Sequence, residues 1–187
     1  VIIVGGGAAG MLASIIAAKN GCAVTLFEKN EKLGKKVYIT GKGRCNVTNN
    51  CDPEELLQAV MSNQKFLYSA FYSFTSQDMM QLLEDAGVPL KTERGNRVFP
   101  VSDHSSDIIH GLERLMKKYR VQIHLRSEVK NLLTENGIVT GIQLTDNKVY
   151  TADAVIVATG GLSYPTTGST GDGYRFAAET GHTVTEC

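Results

Sequence analysis

The sequence predicts an α/β fold, in which a parallel sheet with helical crossovers is interrupted by an antiparallel meander of three short strands. The segments 1–4 and 23–27 are almost wholly apolar, which is typical of strands buried on both faces of a parallel sheet. A helix-forming segment, 8–20, lies between them. Later in the chain, Asn136-Gly137 and Asp146-Asn147 separate three short strand patterns at 129–135, 138–145 and 148–152. These pairs favour tight turns and therefore predict the meander.

The other elements are predicted from local signals. Gly21 follows the first helix in the position of a C-terminal cap. Thr75 and Asp78 have capping-box spacing at the start of a helix. Residues 29–51 are expected to be a loop, and 97–100 a short extended piece. Further helices are expected near 53–61, 65–72, 76–86, 105–119 and 171–180, with a strand at 121–125 and a last buried strand at 154–158.

Composition and charge exclude several classes of protein. The chain has 187 residues, with 19 Lys and Arg against 19 Asp and Glu, so its formal net charge is zero. Proteins that bind nucleic acids usually carry a basic excess, so no nucleic-acid partner is expected. No apolar run approaches the ~20 residues of a membrane span, and no signal peptide is visible. The lack of such a run predicts no membrane partner, and the four cysteines, which are sparse and irregular, favour a reduced, cytoplasmic protein.

The strongest motif is G-x-G-x-x-G, formed by Gly5, Gly7 and Gly10 between the first strand and the first helix. The first glycine permits a tight turn, the second lets the backbone approach a pyrophosphate, and the third lets the helix pack closely on the sheet. The N–H groups of Ala8 and Ala9 would then face the phosphates at the helix N-terminus. Glu28 ends the next strand, where an acid accepts hydrogen bonds from a ribose diol and disfavours a 2′-phosphate.

These residues also carry a family resemblance. Residues 1–34 resemble the FAD-binding start of the glutathione-reductase-like flavoproteins, whose FAD-binding domains also place a meander before the last strand. The blocks 33–49, 95–103 and 158–174 resemble the BaiN/RdsA family of bacterial NAD(P)/FAD-dependent oxidoreductases. The resemblance implies that 1–187 is the N-terminal part of an FAD-binding domain, with a helical insertion at about 50–118 and the meander at about 128–152. Family members continue into a substrate domain and a C-terminal FAD segment, which are not expected in this chain.

The resemblance also implies a set of site residues. Thr159 and Gly160 follow the last strand and are expected beside the first glycine turn, because ligands bind at the carboxyl ends of parallel strands. Asp172 opens a helix, either as a ligand contact or as an N-terminal helix residue only. The residues near the reacting centre are expected to be Arg44, Asn46 and Tyr164. Further cofactor contacts are expected from Lys29, Lys35, Gly43, Arg44, Cys45, Asn46, Val129, Ala158 and Gly171. No metal site is expected, since the histidines lack ligand spacing.

We therefore expect an FAD-dependent oxidoreductase that transfers hydride through flavin N5 to or from a small organic substrate. NAD(P)H is the expected electron donor. The Ala158–Gly161 and Thr170–Gly173 blocks resemble those of the fumarate-reductase-like flavoproteins, which favours reduction of an activated C=C bond over oxidation of an amine. Two alternatives remain open. One is a non-redox nucleotide-binding module, and the other is a flavin disulfide reductase that uses Cys45 and Cys51.

Overall fold

The computed structural model describes residues 1–186, so Cys187, the last of the four cysteines, lies outside the described residues. The chain divides into two compact units. The first comprises Val1–Val37 and the chain from Glu113 onward, and the second comprises Tyr38–Leu112. None of the helices formed by residues 1–186 has the length and apolar character needed to cross a bilayer.

A four-stranded parallel sheet forms the centre of the first unit. Its strands are β1 (Ile2–Val4), β2 (Thr25–Phe27), β6 (Gln122–His124) and β10 (Val155–Val157), in the order β10-β1-β2-β6. Helix α1 (Ala8–Lys19) connects β1 to β2. Val4 pairs with Phe27 on one side and with Val157 on the other, so the three strands end at the same level. The predicted parallel sheet with a helical crossover is confirmed, and it brings three strand ends together.

The prediction of a last buried strand at 154–158 is wrong in its burial. Strand β10 lies at an edge of the sheet, where it pairs with β1. As a result, the side chains of Ile156 and Val157 remain 39% and 38% exposed. A continuous apolar run predicts a strand of this kind, but it does not distinguish a central strand from an edge strand.

One face of this sheet packs against the meander. The meander consists of β7 (Val129–Glu135), β8 (Ile138–Leu144) and β9 (Val149–Thr151), joined in that order. Phe27 and Val4 from the parallel sheet form one core cluster with Ile142 of the meander and with Phe176 of helix α6 (Asp172–Glu179). Asn136 and Gly137 both adopt positive φ, as the predicted tight turn requires. The predicted three-stranded meander is confirmed.

The second unit combines helices with a small antiparallel sheet. The helices are α2 (Pro53–Gln58), α3 (Gln64–Ser73), α4 (Ser76–Asp85) and the first part of α5 (Ser105–Lys118). The strands are β3 (Thr48–Asn49), β4 (Leu90–Glu93) and β5 (Arg97–Pro100), in the order β3-β5-β4. The predicted capping box of Thr75 and Asp78 is confirmed.

The expectation of a loop over 29–51 is only partly right. The segment contains 3₁₀ turns within Val37–Gly43 and the strand β3, and the sequence did not predict β4 either. Strands of two to four residues, without clear alternation of apolar and polar side chains, are too short for a strand pattern to be recognised.

Candidate cofactor site

The glycine turn after β1 has the geometry that its motif predicts. Gly5 adopts φ +105°, and a Cβ placed on it would lie 2.5 Å from the carbonyl oxygen of Ala158. A Cβ on Gly10 would lie 1.8 Å from the carbonyl oxygen of Gly5. A Cβ on Gly7 would meet nothing within 4 Å. The first and third glycines thus allow close backbone packing, whereas the second leaves open space above the backbone.

Helix α1 begins at this open space. Gly7 caps the helix and supplies no side-chain hydrogen bond, and the first turn contains no acidic residue. The first helical hydrogen bond runs from Met11 N to Gly7 O at 2.9 Å, so the N–H groups of Ala8, Ala9 and Gly10 have no acceptor within the helix. Ala8 and Ala9 are exposed. Unpaired N–H groups and the helix dipole together make this end suitable for a phosphate group.

Glu28 lies at the end of β2, where its buried carboxylate is already bound by the protein. Oε2 accepts a hydrogen bond from Gly6 N at 2.6 Å. Oε1 accepts from the backbone N of Asn30 at 2.8 Å and from Asn30 Nδ2 at 2.6 Å. An ionised carboxylate offers about four acceptor positions. The three hydrogen bonds fix the orientation of the Glu28 carboxylate. About one of its acceptor positions remains for a ribose hydroxyl.

The third edge of the site follows β10. Ala158 N donates to Val4 O at 2.8 Å, which keeps the chain beside the glycine turn. The hydroxyl oxygen of Thr159 is buried without a hydrogen-bond partner. A Cβ on Gly173, in the first turn of α6, would lie 2.8 Å from this oxygen. Buried polar atoms without partners are uncommon, and each calls for a water, an ion or a ligand. Thr159 is consistent with its predicted role as a cofactor contact.

The charged residues predicted near the cofactor are mostly bound to one another. Lys29 Nζ lies 2.6 Å from Asp172 Oδ2. Burial acts to raise the pKa of Asp172, but hydrogen bonds from Lys29 and Thr170 outweigh it, and the pKa lies below its usual value. Lys35 donates to Asn30 Oδ1 at 3.1 Å. Val129, predicted against the adenine, is buried in the core at the start of β7.

Of the other predicted residues, Gly43, Arg44, Cys45 and Asn46 lie in the second unit, whereas Gly160, Tyr164 and Gly171 belong to the first. Arg44 forms ion pairs with Glu93 and Asp103, and its guanidinium carbon lies 4.1 Å from the ring centre of Phe99. Hydrogen bonds to Glu93 and Asp103 raise the pKa of Arg44. The guanidinium is thus committed to protein partners in this structure.

The side chains of Asn46 and Tyr164 are held by fewer interactions than the side chain of Arg44. With its amide oriented to donate, Asn46 Nδ2 reaches the carbonyl oxygens of Thr48 and Val98, each at 3.3 Å. Tyr164 is 64% exposed and adopts a positive φ. Because these two residues belong to different units, the predicted reacting centre stays a prediction.

Cys45 and Cys51 are free thiols. Burial raises the pKa of both, and nearby Glu55 and Asp52 raise that of Cys51 further. Nucleophilic thiols in redox enzymes have the opposite shift, toward the thiolate. Their environment does not favour disulfide chemistry. Residues 1–186 also hold no group of three His, Cys, Asp or Glu side chains placed to bind a metal.

Sequence reasoning missed three contributors to the site: Gly6, Asn30 and Thr170. Gly6 holds Glu28 through its backbone N, and a Cβ on it would lie 2.4 Å from Leu33 Cδ2. Asn30 follows the acid by two residues, a spacing at which an Asn amide can bond back to local groups. That spacing is the available signal for Asn30. Thr170 and Lys29 are 141 residues apart in the sequence, so only the folded structure brings them into hydrogen-bond contact.

The fold is of the type found in FAD-binding oxidoreductases, and the site combines a glycine turn, a free helix N-terminus and an acid after the second strand. The family described as HI0933-like protein Rossmann domain matches residues 1–187, and the chain belongs to it. The resemblance to BaiN and RdsA is thereby confirmed.

Two curated relatives show the range of the family. The chain is 32% identical over 185 residues to a 3-dehydro-bile acid delta(4,6)-reductase of Clostridium scindens, covering 97% of this chain and 44% of that protein. It is 34% identical over 185 residues to a ribosomal RNA dihydrouridine synthase of Escherichia coli, covering 98% of this chain and 44% of that protein. The chain thus spans less than half the length of either relative.

Solved structures give the same fold. A flavocytochrome c3 fumarate reductase in its open conformation matches with a TM-score of 0.74 and 25% identity, over 96% of this chain and 40% of that chain. A 3-ketosteroid delta1-dehydrogenase from Sterolibacterium denitrificans matches with a TM-score of 0.74 and 17% identity, over 96% and 54% of the two chains. The predicted glutathione-reductase-type arrangement, a parallel sheet with a meander inserted before its last strand, is the fold observed.

Proposed function

We propose that this chain binds FAD at the carboxyl ends of β10, β1 and β2, as the cofactor-binding part of an oxidoreductase that reduces an activated C=C bond. The open space above Gly7, at the start of α1 where no side chain caps the helix, carries the proposal. A backbone that no side chain covers, with free N–H groups, fits a diphosphate. Bound FAD would supply two-electron chemistry, with NAD(P)H as the donor.

Each part of the site would hold a different part of the cofactor. The N–H groups of Ala8 and Ala9 would bind the diphosphate. Glu28, held in place by Gly6 and Asn30, would accept a hydrogen bond from one ribose hydroxyl. The partnerless Thr159 hydroxyl would gain a hydrogen bond when the cofactor is in place. These residues bind and orient the cofactor.

The choice of reaction is supported by the names of the relatives. One reduces the delta(4,6) system of a 3-dehydro-bile acid, and the other makes dihydrouridine in ribosomal RNA. Both products arise when two hydrogens are added to a C=C bond conjugated with a carbonyl group. An unsaturated carbonyl compound is therefore the proposed substrate class.

A small molecule and an RNA are both compatible with that chemistry. The balance of 19 basic and 19 acidic residues favours a small molecule, because RNA binding generally requires a basic surface. The identity of 34% to the dihydrouridine synthase supports RNA as the second candidate. Turnover of an unsaturated ketone and of uridine in ribosomal RNA by the same preparation, with NADH and NADPH in turn, separates the candidates.

The cofactor proposal is tested by filling the space above Gly7. Gly7→Val should raise the dissociation constant for FAD at least about tenfold, because its side chain would occupy the diphosphate position. The free protein should lose only about 1 kcal/mol of unfolding free energy, since Val is a poorer helix cap than Gly. Gly7→Ala, with a smaller side chain, should fall between wild type and Gly7→Val in a flavin fluorescence titration. Equal affinities in all three proteins would contradict the proposal.

The disulfide-reductase alternative has its own test. Cys51→Ser removes one of the two thiols that such an enzyme requires, so a disulfide reductase would lose its activity. We expect NAD(P)H-dependent reduction of the C=C substrate to continue at the wild-type rate. Disulfide reduction by the wild-type protein that is lost in Cys51→Ser, while NAD(P)H still bleaches the flavin, would restore the alternative.

A further inference from the structure

Lys29 connects two segments that are far apart in the sequence. Its Nζ donates to Thr170 Oγ1 and to Asp172 Oδ2, both at 2.6 Å. The Thr170 hydroxyl in turn donates to the same Asp172 oxygen at 3.0 Å. The side chains of Lys29 and Asp172 are 21% and 23% exposed, so solvent screens this pair less than a fully exposed one. The end of β2 is thereby joined to the start of α6.

The turn joined in this way also contains Ser169, which is buried beside Gly160. Its backbone hydrogen bonds are local, as from Gly168 N to Pro165 O at 2.9 Å and from Thr170 N to Gly168 O at 3.0 Å. In α6, Phe176 is the buried side chain, and Arg175 donates to Lys130 O at 2.7 Å one turn further along. Near Lys29, Asn30 Nδ2 adds a weaker bond to Thr167 O at 3.2 Å. Lys29 therefore supplies the ion pair that joins the first turn of α6 to the end of β2.

Both ends of this connection adjoin the proposed FAD site. Lys29 directly follows Glu28, whose carboxylate is bound to Gly6 in the glycine turn. At the other end, Gly173 lies against the partnerless Thr159 hydroxyl. The ammonium of Lys29 is held by Thr170 and Asp172, so its charge is not directed at a phosphate.

We propose that Lys29 is a positioning residue, which fastens the 167–172 turn to the end of β2 and so holds one wall of the FAD site. This role differs from the direct cofactor contact that the sequence resemblance implies for Lys29 and Asp172. It rests on the proposed function only for the identity of the cofactor, because the fastening is a property of the protein alone.

The first measurement needs no cofactor. Lys29→Met keeps most of the aliphatic stem and removes the charge, so hydrogen exchange at the amides of Gly168, Thr170 and Tyr174 should be about tenfold faster than in wild type. Lys29→Arg can still pair with Asp172 and should exchange within about threefold of wild type. The matched control is Lys148→Met, which removes an exposed Lys–Asp pair of 2.9 Å with Asp146 in the meander. It should leave these three amides unchanged.

The second measurement is FAD affinity by flavin fluorescence. Lys29→Met should weaken binding about tenfold, Lys29→Arg should restore it, and Lys148→Met should bind as wild type does. Unchanged amide exchange in Lys29→Met would overturn the proposal, as would faster exchange with unchanged FAD affinity. If wild type itself binds no FAD, the proposed function fails, and the amide exchange alone then decides whether Lys29 fastens the turn.

Discussion

At the scale of single residues, the site depends on how closely backbone segments approach one another. The most demanding contact joins Gly10 to Gly5, where an added Cβ would lie 1.8 Å from a carbonyl oxygen. The neighbouring atoms are backbone, which cannot move aside as a flexible side chain can. The spacing of the three glycines in the sequence predicts this contact correctly.

Gly10→Ala should therefore destabilise the whole first unit. We expect a loss of about 3 kcal/mol or more in unfolding free energy, because overpacking against backbone forces strands and helix apart. Urea unfolding followed by circular dichroism measures the change. Gly7→Ala is the matched control, and a Gly10→Ala protein as stable as Gly7→Ala would refute the packing argument.

The charged cluster around Arg44 predicts a pH effect in the second unit. The hydrogen bond from Arg44 lowers the pKa of Glu93, and hydrogen bonds from Lys91 and then Arg44 lower that of Asp103. Since both pKa values are lower in the folded state, the stabilisation is present above the unfolded values and is lost as pH falls through the folded ones. Arg44→Gln should raise both pKa values, chiefly that of Glu93, in a carboxyl carbon NMR titration.

The same pKa shifts of Glu93 and Asp103 make the unfolding free energy depend on pH. Wild type should lose more stability than Arg44→Gln as pH falls below the ordinary Glu value of 4.5. Unfolding titrations at two acidic pH values and at neutral pH test this difference. The same slope in both proteins would show that Arg44 does not set these pKa values.

At the scale of elements, local hydrogen-bonding signals were the most reliable guide. The Thr75–Asp78 capping box and the Asn136-Gly137 turn both form as the sequence predicts, because each is decided within a few residues. The strands β3 and β4 were missed because their pairing with β5 is settled by tertiary contacts. The exposure of β10 was missed for a similar reason, since neighbours in the sheet decide burial.

The capping box gives a prediction for α4. Thr75→Ala should lower unfolding free energy by about 1 kcal/mol, because the N–H of Asp78 loses its side-chain acceptor. Thr75→Ser keeps the hydroxyl and should recover most of the loss. Thermal unfolding of the three proteins measures it, and equal stability of the Ala and Ser variants would contradict the role given to the hydroxyl.

At the scale of the molecule, the order of motifs predicted which segments meet at the strand ends, but not which partners the charged residues have in the protein. The glycine turn, Glu28 and the end of β10 meet at the carboxyl ends of three parallel strands, as the order of motifs implies. Lys29, Asp172 and Arg44 form ion pairs with residues distant in sequence. Such long-range pairs leave no periodic pattern in the chain.

The central claim is that the diphosphate of FAD binds at the start of α1, and a crystal structure of the protein grown with FAD tests it most directly. The account predicts diphosphate density within hydrogen-bond distance of the N–H groups of Ala8 and Ala9, with one ribose hydroxyl on Glu28. FAD bound elsewhere on the chain, with the space above Gly7 filled by protein side chains, would contradict it.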